Sequence, residues 1–182
     1  MPSISADNPL YFLTSVTHNR LPIFAKDSLK NILSAAFIEA RISGGFKIYS
    51  YGIMPEHYHI VTDNGRKPSD VLRFLNGISA RRIINYLKEN GFETSLNKLR
   101  KQEPGKKDHR YSVCEHHSNT FLLTSESMLM QKVNYIHQNP VVDGLVDEAF
   151  EHRFSSVRYW QRKPLLDDEP LEPDLKDIRW KV

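Results

Sequence analysis

Apolar and polar positions recur along the chain in patterns that mark out a succession of strands and helices. Residues 10–17 (LYFLTSVT) are aromatic and β-branched and read as a strand. Asp27 then caps a helix reaching Ala40, with Leu29, Ile32, Leu33, Ala36 and Phe37 at helical spacing, and Gly44-Gly45 stops it. Residues 46–53 and 57–62 read as two strands joined around Met54-Pro55-Glu56, and Asp63-Asn64-Gly65 ends the second. Pro68-Ser69-Asp70 opens a helix to about Lys88, with Val71, Leu72, Leu75, Ile78, Ile83 and Leu87 on its apolar side and Gly91 closing it. A basic loop punctuated by proline and glycine spans 98–108, and a fourth strand is expected over 110–115. The last long helix starts within 125–127 and is expected to end about Asn139, because the residue before a proline avoids the α region. A short element follows at 155–160; there is no internal repeat. The order β-α-β-β-α-β is that of the ferredoxin-like split βαβ motif, an α+β fold whose antiparallel sheet carries helices on one face, here with a C-terminal helical extension. The other sheet face would then be free for a ligand.

Composition narrows this only modestly. The 182 residues, 40% hydrophobic and 26% charged, suit one ordinary globular domain over 1–162 followed by an acidic, proline-containing tail over 163–182. Cys114 is the only cysteine, which excludes an intramolecular disulfide and a thiolate zinc cage. No basic run followed by an apolar stretch opens the chain, and no apolar run is long enough to span a bilayer. A cytoplasmic protein with no membrane partner is the expectation. The net charge of +3 hides an asymmetry: residues 66–110 hold 12 Lys/Arg against 5 Asp/Glu, and residues 163–182 hold 4 against 6. A basic middle suits a phosphate backbone. On charge alone, a solvated basic face without a partner reads equally well.

Two short motifs carry the chemistry. In Met54-Pro55-Glu56-His57-Tyr58-His59-Ile60, strand alternation sends both histidines to one face and Tyr58 and Ile60 to the packed one. A lone His-x-His is weak, since strand histidines are more often plain hydrogen-bonding residues than ligands. In Tyr135-Ile136-His137-Gln138-Asn139-Pro140, Tyr135 and Asn139 are one helical turn apart. Leu129, Val133 and Ile136 fall within about 60° of one another and form the buried stripe, leaving Tyr135 and Asn139 on the flank with Gln131 and Lys132. A tyrosine off the apolar stripe is a nucleophile candidate, although a free phenol needs a cation to polarise its electrophile. His57 and His59 with the weak neutral ligand Asn139 suit Mg²⁺ or Mn²⁺ with open positions for phosphate oxygens. His137 lies near 160° from Tyr135 and falls outside this site. His116-His117 read as exposed, and Tyr111 and Phe121 as strand packing before base stacking.

These motifs resemble those of the single-tyrosine HUH transposases, and more closely the REP-associated tyrosine transposases. The matching segments are Tyr11-Phe12-Leu13-Thr14, Gly52 through His59, Tyr135 through Val141 with Gly144-Leu145-Val146 after it, and Phe154-Ser155-Ser156 with Tyr159. The resemblance implies an enzyme that cleaves and rejoins single-stranded DNA near a hairpin. Tyr135 would attack the scissile phosphate to give a 5′-phosphotyrosine and a 3′-hydroxyl, with His57, His59 and Asn139 holding the metal. Lys98, Arg100, Lys101, Lys106, Lys107 and Arg110 in the basic loop, with Lys132 on the helix, are the expected DNA contacts. The partner would be single-stranded or hairpin DNA, bound by a monomer or a homodimer. Two rivals stand beside this reading: a metal-dependent phosphohydrolase that activates water, and a non-catalytic hairpin-binding module. The second lacks an RNP-like aromatic run.

Overall fold

Strand alternation decides the architecture, because it gives the sheet two apolar faces rather than one. A computed structural model describes residues 4–101, 110–115 and 119–178. Its strands are β1 (Leu10–Val16), β2 (Ile48–Ile53), β3 (His57–Thr62) and β4 (Asn119–Leu123), paired antiparallel throughout in the order β2-β3-β1-β4. That is the strand order of the split βαβ motif, so the α+β fold class stands. Leu13, Tyr51, Ile53, Tyr58 and Ile60 project to one side and are buried with α1 (Asp27–Gly44) and α2 (Pro68–Glu89). Leu10, Phe12, Tyr49, Val61 and Leu123 belong to a second core on the other side.

The helices end where local chemistry ends them. Asp27 is the first residue of α1 rather than its cap; Lys26 holds the cap position, and Asp27 sits in the first turn paired with Lys30 at 3.1 Å. Gly45 adopts φ +63° at the C-cap, a left-handed conformation that glycine takes without steric cost. Pro68 opens α2, where its missing N–H costs nothing. Val71, Leu75, Ser79, Ile83 and Leu87, every fourth residue, form the buried side of α2. A short helix α3 (Glu93–Lys98) adds Leu96 to the same core.

Three further expectations are corrected. Residues 110–115 form isolated bridges only, Tyr111 with Arg100 and Cys114 with Thr17, and the fourth strand is the later segment β4. The final long helix, α4 (Glu126–Val142), runs through Pro140 instead of ending at Asn139. Ser125 caps its start by accepting from the Met128 amide. Pro140 stands in the last turn, where the ring costs one intrahelical bond and the exit is secured by Leu145 N–H donating to the Pro140 carbonyl at 2.8 Å. Finally, the second sheet face is not free. The Leu129/Val133/Ile136 stripe must be buried, and α4 lays it on Leu10, Phe12, Tyr49 and Val61. At one end, beside β3, His57 and Asn139 stay partly exposed and Tyr135 is open to solvent.

Two features seat α4. Gly52 on β2 pairs with His59, and a Cβ built there would lie 2.8 Å from Ile136 Cγ2. His137, 3% exposed, lies 3.0 Å from the Ser156 hydroxyl and 3.5 Å from that of Ser50. Burial lowers its pKa to about 4, so the ring is a neutral strut between helix and sheet.

The segment after α4 turns back along β2. Ile53 N–H donates to the Phe154 carbonyl, Ser156 N–H to that of Tyr51 and the Trp160 indole to that of Tyr49. A short helix α5 (Val157–Trp160) then leads to the acidic segment. There Asp174 accepts from the Ile48 amide at 2.8 Å and pairs with Arg41 at 3.2 Å, while Arg153 and Lys47 pair with Asp168 and Asp177. Leu171 is buried within the α1/α2 core. No helix among the described residues is long and apolar enough to cross a membrane.

Candidate active site

On β3, Tyr58 and Ile60 are fully buried toward α1 and α2, which turns His57 and His59 toward α4. The two imidazole centroids are 4.7 Å apart. Asn139 reaches down from α4, and its amide Nδ2 lies 3.1 Å from Nε2 of His57 and 3.1 Å from Nε2 of His59. One helical turn earlier, the Tyr135 ring packs edge-on to His59 with centroids 5.2 Å apart, and remains 49% exposed. The structure thus gathers His57, His59, Tyr135 and Asn139 at one end of the sheet. His137 points the other way.

The protonation pattern follows from the partners. Glu56 Oε1 is 3.2 Å from His57 Nδ1, and an ionised carboxylate only accepts, so Nδ1 is the donor of this pair. His59 Nδ1 is 2.8 Å from the Thr14 hydroxyl, which can accept its proton in the same way. Burial first, then the neighbouring His57 and Lys132, lower the His59 pKa to about 3, so this ring stays neutral at any physiological pH. The two Nε2 atoms converge on the Asn139 amide, whose oxygen and nitrogen are interchangeable by a flip of the side chain. Flipped, Asn139 offers an oxygen where the two nitrogens meet. Among the described residues no three His, Cys, Asp or Glu side chains gather as a metal-binding group. Two imidazoles and one amide nonetheless form a donor set that a divalent ion accepts, with the Nδ1 atoms already held by Glu56 and Thr14 as ligand histidines require.

Glu56 and Thr14 fall within the matching segments, but the sequence assigned neither a role in the site. Glu56 immediately precedes His57, and Thr14 is the cross-strand partner of His59, a register that only the β1–β3 pairing reveals. The surroundings of Lys132 were likewise unforeseen. Its ammonium lies 4.8 Å from the Phe12 ring centroid, 4.7 Å from that of Phe121 and 5.5 Å from that of Tyr135. Phe12 in turn stacks on His59 at 5.2 Å. Phe121 is 52% exposed, so it is not the strand-packing residue expected. Tyr111 is half-buried with the Lys88 ammonium over its ring.

The basic loop stands elsewhere. Lys98 ends α3 and lines an apolar groove of about 320 Å³ with Leu21, Tyr86 and Phe92 on the α1/α2 side. Lys101 lines a second groove beside α2 with Arg73 and Tyr111, and Arg100 bridges to Tyr111. Arg110 is exposed next to that bridge. Lys106, Lys107 and His116-His117 lie outside the described residues. Lys132, by contrast, sits with its ammonium against the Tyr135 ring.

A solved REP-associated tyrosine transposase bound to a REP hairpin superposes with a TM-score of 0.61 at 16% identity, covering 98% of this chain and 92% of that one. A transposase structure from Deinococcus radiodurans aligns at 21% identity over 71% of this chain and 88% of its own, with a TM-score of 0.44. No curated relative matches by sequence. The sequence model of the IS200-like transposases matches residues 6–101, which take in β1 to α3 with both site histidines and stop short of α4. The chain belongs to the IS200-like transposase family.

Proposed function

We propose that this transposase cleaves and rejoins single-stranded DNA beside a hairpin through a covalent 5′-phosphotyrosine on Tyr135. The observation that carries the reading is the setting of Tyr135. Its ring is half exposed, rests against His59, and stands one turn from the Asn139 amide that spans both imidazoles. A tyrosine kept for packing would join the Leu129/Val133/Ile136 stripe.

In the proposed reaction the phenolic oxygen bonds to phosphorus as the bond to the 3′ oxygen breaks. The phenol gives up its proton to solvent and the departing 3′ oxygen takes one up, so charge balances and one phosphodiester replaces another. Rejoining is the reverse, with a 3′-hydroxyl as the attacking group, and needs no nucleotide hydrolysis. His57, His59 and Asn139 would hold Mg²⁺ or Mn²⁺, which when bound supplies Lewis acidity to the phosphate. Glu56 and Thr14 fix the ring orientations of the two histidines, and α4 carries Tyr135 and Asn139 as one rigid unit. A hairpin as the recognised feature is supported by the motif resemblance and by the REP hairpin in the structural neighbour.

The test is incubation with single-stranded DNA from the flanks of the gene, followed by a denaturing gel. The expected result is a covalent protein–DNA band with wild type and none with Tyr135→Phe, which keeps the ring and its packing. Cleavage by Tyr135→Phe without an adduct would establish the water-activating phosphohydrolase instead.

A further inference from the structure

We infer that Phe121 and Lys132 form a subsite for a nucleotide adjacent to the scissile phosphate, the base stacking on the Phe121 ring and its phosphate pairing with the Lys132 ammonium. The inference rests on the reading of Tyr135 as the nucleophile and adds a residue pair that neither the histidine motif nor the tyrosine motif contains. Phe121 is the direct cross-strand partner of Phe12, so both rings face α4 at the same level of the sheet. Phe12 is buried beneath His59, whereas Phe121, on the edge strand β4, keeps 52% of its surface in water. Three residues before Tyr135 on α4, Lys132 extends over both rings, its ammonium under 5 Å from each centroid.

That arrangement holds the lysine in place without neutralising it. Aromatic faces attract the ammonium but carry no net charge, and among the described residues Lys132 makes no salt bridge. A positive charge is thereby held beside the nucleophile, next to an aromatic ring that keeps about half of its surface in water. The ligand whose chemistry matches both is a nucleotide, which presents a π-face and an anion on one short backbone unit. A peptide anion would satisfy the lysine and leave the ring wet. The subsite is continuous with the histidine–tyrosine cluster: its order is Phe121, Lys132, Tyr135, His59 and then Asn139, through successive contacts. A strand threading past Tyr135 would meet Phe121 within about one nucleotide.

The test is an equilibrium-binding cycle on single-stranded substrates that carry one abasic nucleotide, placed in turn on either side of the cleaved bond. In wild type, one flanking abasic position should weaken binding about five- to 150-fold, the range for losing one base–aromatic stack. In Phe121→Ala that same position should cost nothing further, because the ring it stacked on is gone. Phe121→Leu, which keeps an apolar edge but has no π-face, should behave as the alanine variant does and controls for a disturbed β4. Lys132→Met keeps the stem over the rings; it should flatten the dependence of log affinity on log salt by about 0.7, the share of one single-strand phosphate. A neutral methylphosphonate at the flanking linkage should weaken wild type and leave Lys132→Met unchanged. Additive losses at every position would overturn the subsite, as would a cycle that closes only far from the cleaved bond. Phe121→Ala altering only sedimentation would overturn it too, by showing that the ring packs against another copy. Because binding is the readout, these outcomes are separate from the adduct gel, whose failure would fall on Tyr135 alone.

Discussion

Gly52→Ala is the sharpest probe of how the site is held together. A Cβ at position 52 would sit 2.8 Å from Ile136 Cγ2 and 3.4 Å from the Ile136 carbonyl oxygen. Carbon atoms settle at about 3.5–4.0 Å, so the pair must separate by roughly 1 Å. Ile136 cannot swing away, because a β-branched side chain in a helix has essentially one rotamer. The displacement therefore falls on α4. Overpacking of this kind costs about 1–3 kcal/mol, and at about 2–4 °C per kcal/mol for a chain of this size melting should fall by about 2–12 °C. The larger effect should be on cleavage. Tyr135 adjoins Ile136, and Asn139, three residues on, holds both imidazoles at 3.1 Å, a distance that a shift of 1 Å abolishes. Misplacement by 1 Å costs on the order of 100-fold in rate. Single-turnover adduct formation is the assay, with hairpin affinity measured alongside and expected to hold. Ile136→Leu removes the offending branch methyl, so the double variant should recover much of the lost rate. Gly77→Ala on α2, with open space around it, should instead be neutral or stabilising by about 0.5–1 kcal/mol. A Gly52→Ala protein that melts lower yet cleaves at the wild-type rate would refute the idea that this packing sets the alignment of α4.

Three further outcomes are expected. His57→Ala and His59→Ala should each abolish cleavage while sparing hairpin binding, and chelator should mimic them; full cleavage by both variants in chelator would sink the metal assignment. Alanine at Lys98, Arg100, Lys101, Lys106 and Lys107 together should weaken DNA binding and lower its salt slope by up to about 0.7 for each phosphate no longer neutralised, and an unchanged slope would show that this segment faces solvent. Thermal stability should be highest near neutral pH and fall as pH drops through about 6.5: His137, lowered to about 4, and His152, also lowered by burial, bind protons more readily unfolded than folded. Their stabilising contribution is thus present above the unfolded pKa and is lost as pH falls toward the folded values. For His137 the full loss is about 3 kcal/mol, from 1.36 kcal/mol per unit. Equal stability at pH 7 and pH 4.5 would contradict it.

The parts of the site that could be read in advance are those governed by local periodicity. Alternation put His57 and His59 on one face, and the helical wheel set Tyr135 apart from the Leu129/Val133/Ile136 stripe; both are properties of a few consecutive residues. Errors arose where long-range pairing decides. The segment 110–115 has the composition of a strand but makes only bridges, while β4 hides its identity because two of its apolar residues, Phe121 and Leu122, face water at the sheet edge. The rule about residues before proline failed at Asn139, since one lost bond in a last turn is offset by the exit bond at Leu145 and by the burial of Pro140. Nothing local announces that α4 covers the second sheet face, or that Thr14 meets His59; both depend on where distant elements dock.

The returning C-terminal segment also bears on self-assembly. An edge strand with free amides and carbonyls is a template for foreign strands, and this sheet has two edges. Along β2 the template is already used: Phe154, Ser156, Trp160 and Asp174 engage its outward backbone groups. The acidic tail that charge counting set apart is, in the folded chain, the last piece of a plug. The other edge, β4, is five residues long, and a strand adding there would come to lie alongside Phe121. DNA seated at the Phe121 subsite inferred above would occupy that same rim, so strand addition at β4 and DNA binding would be mutually exclusive.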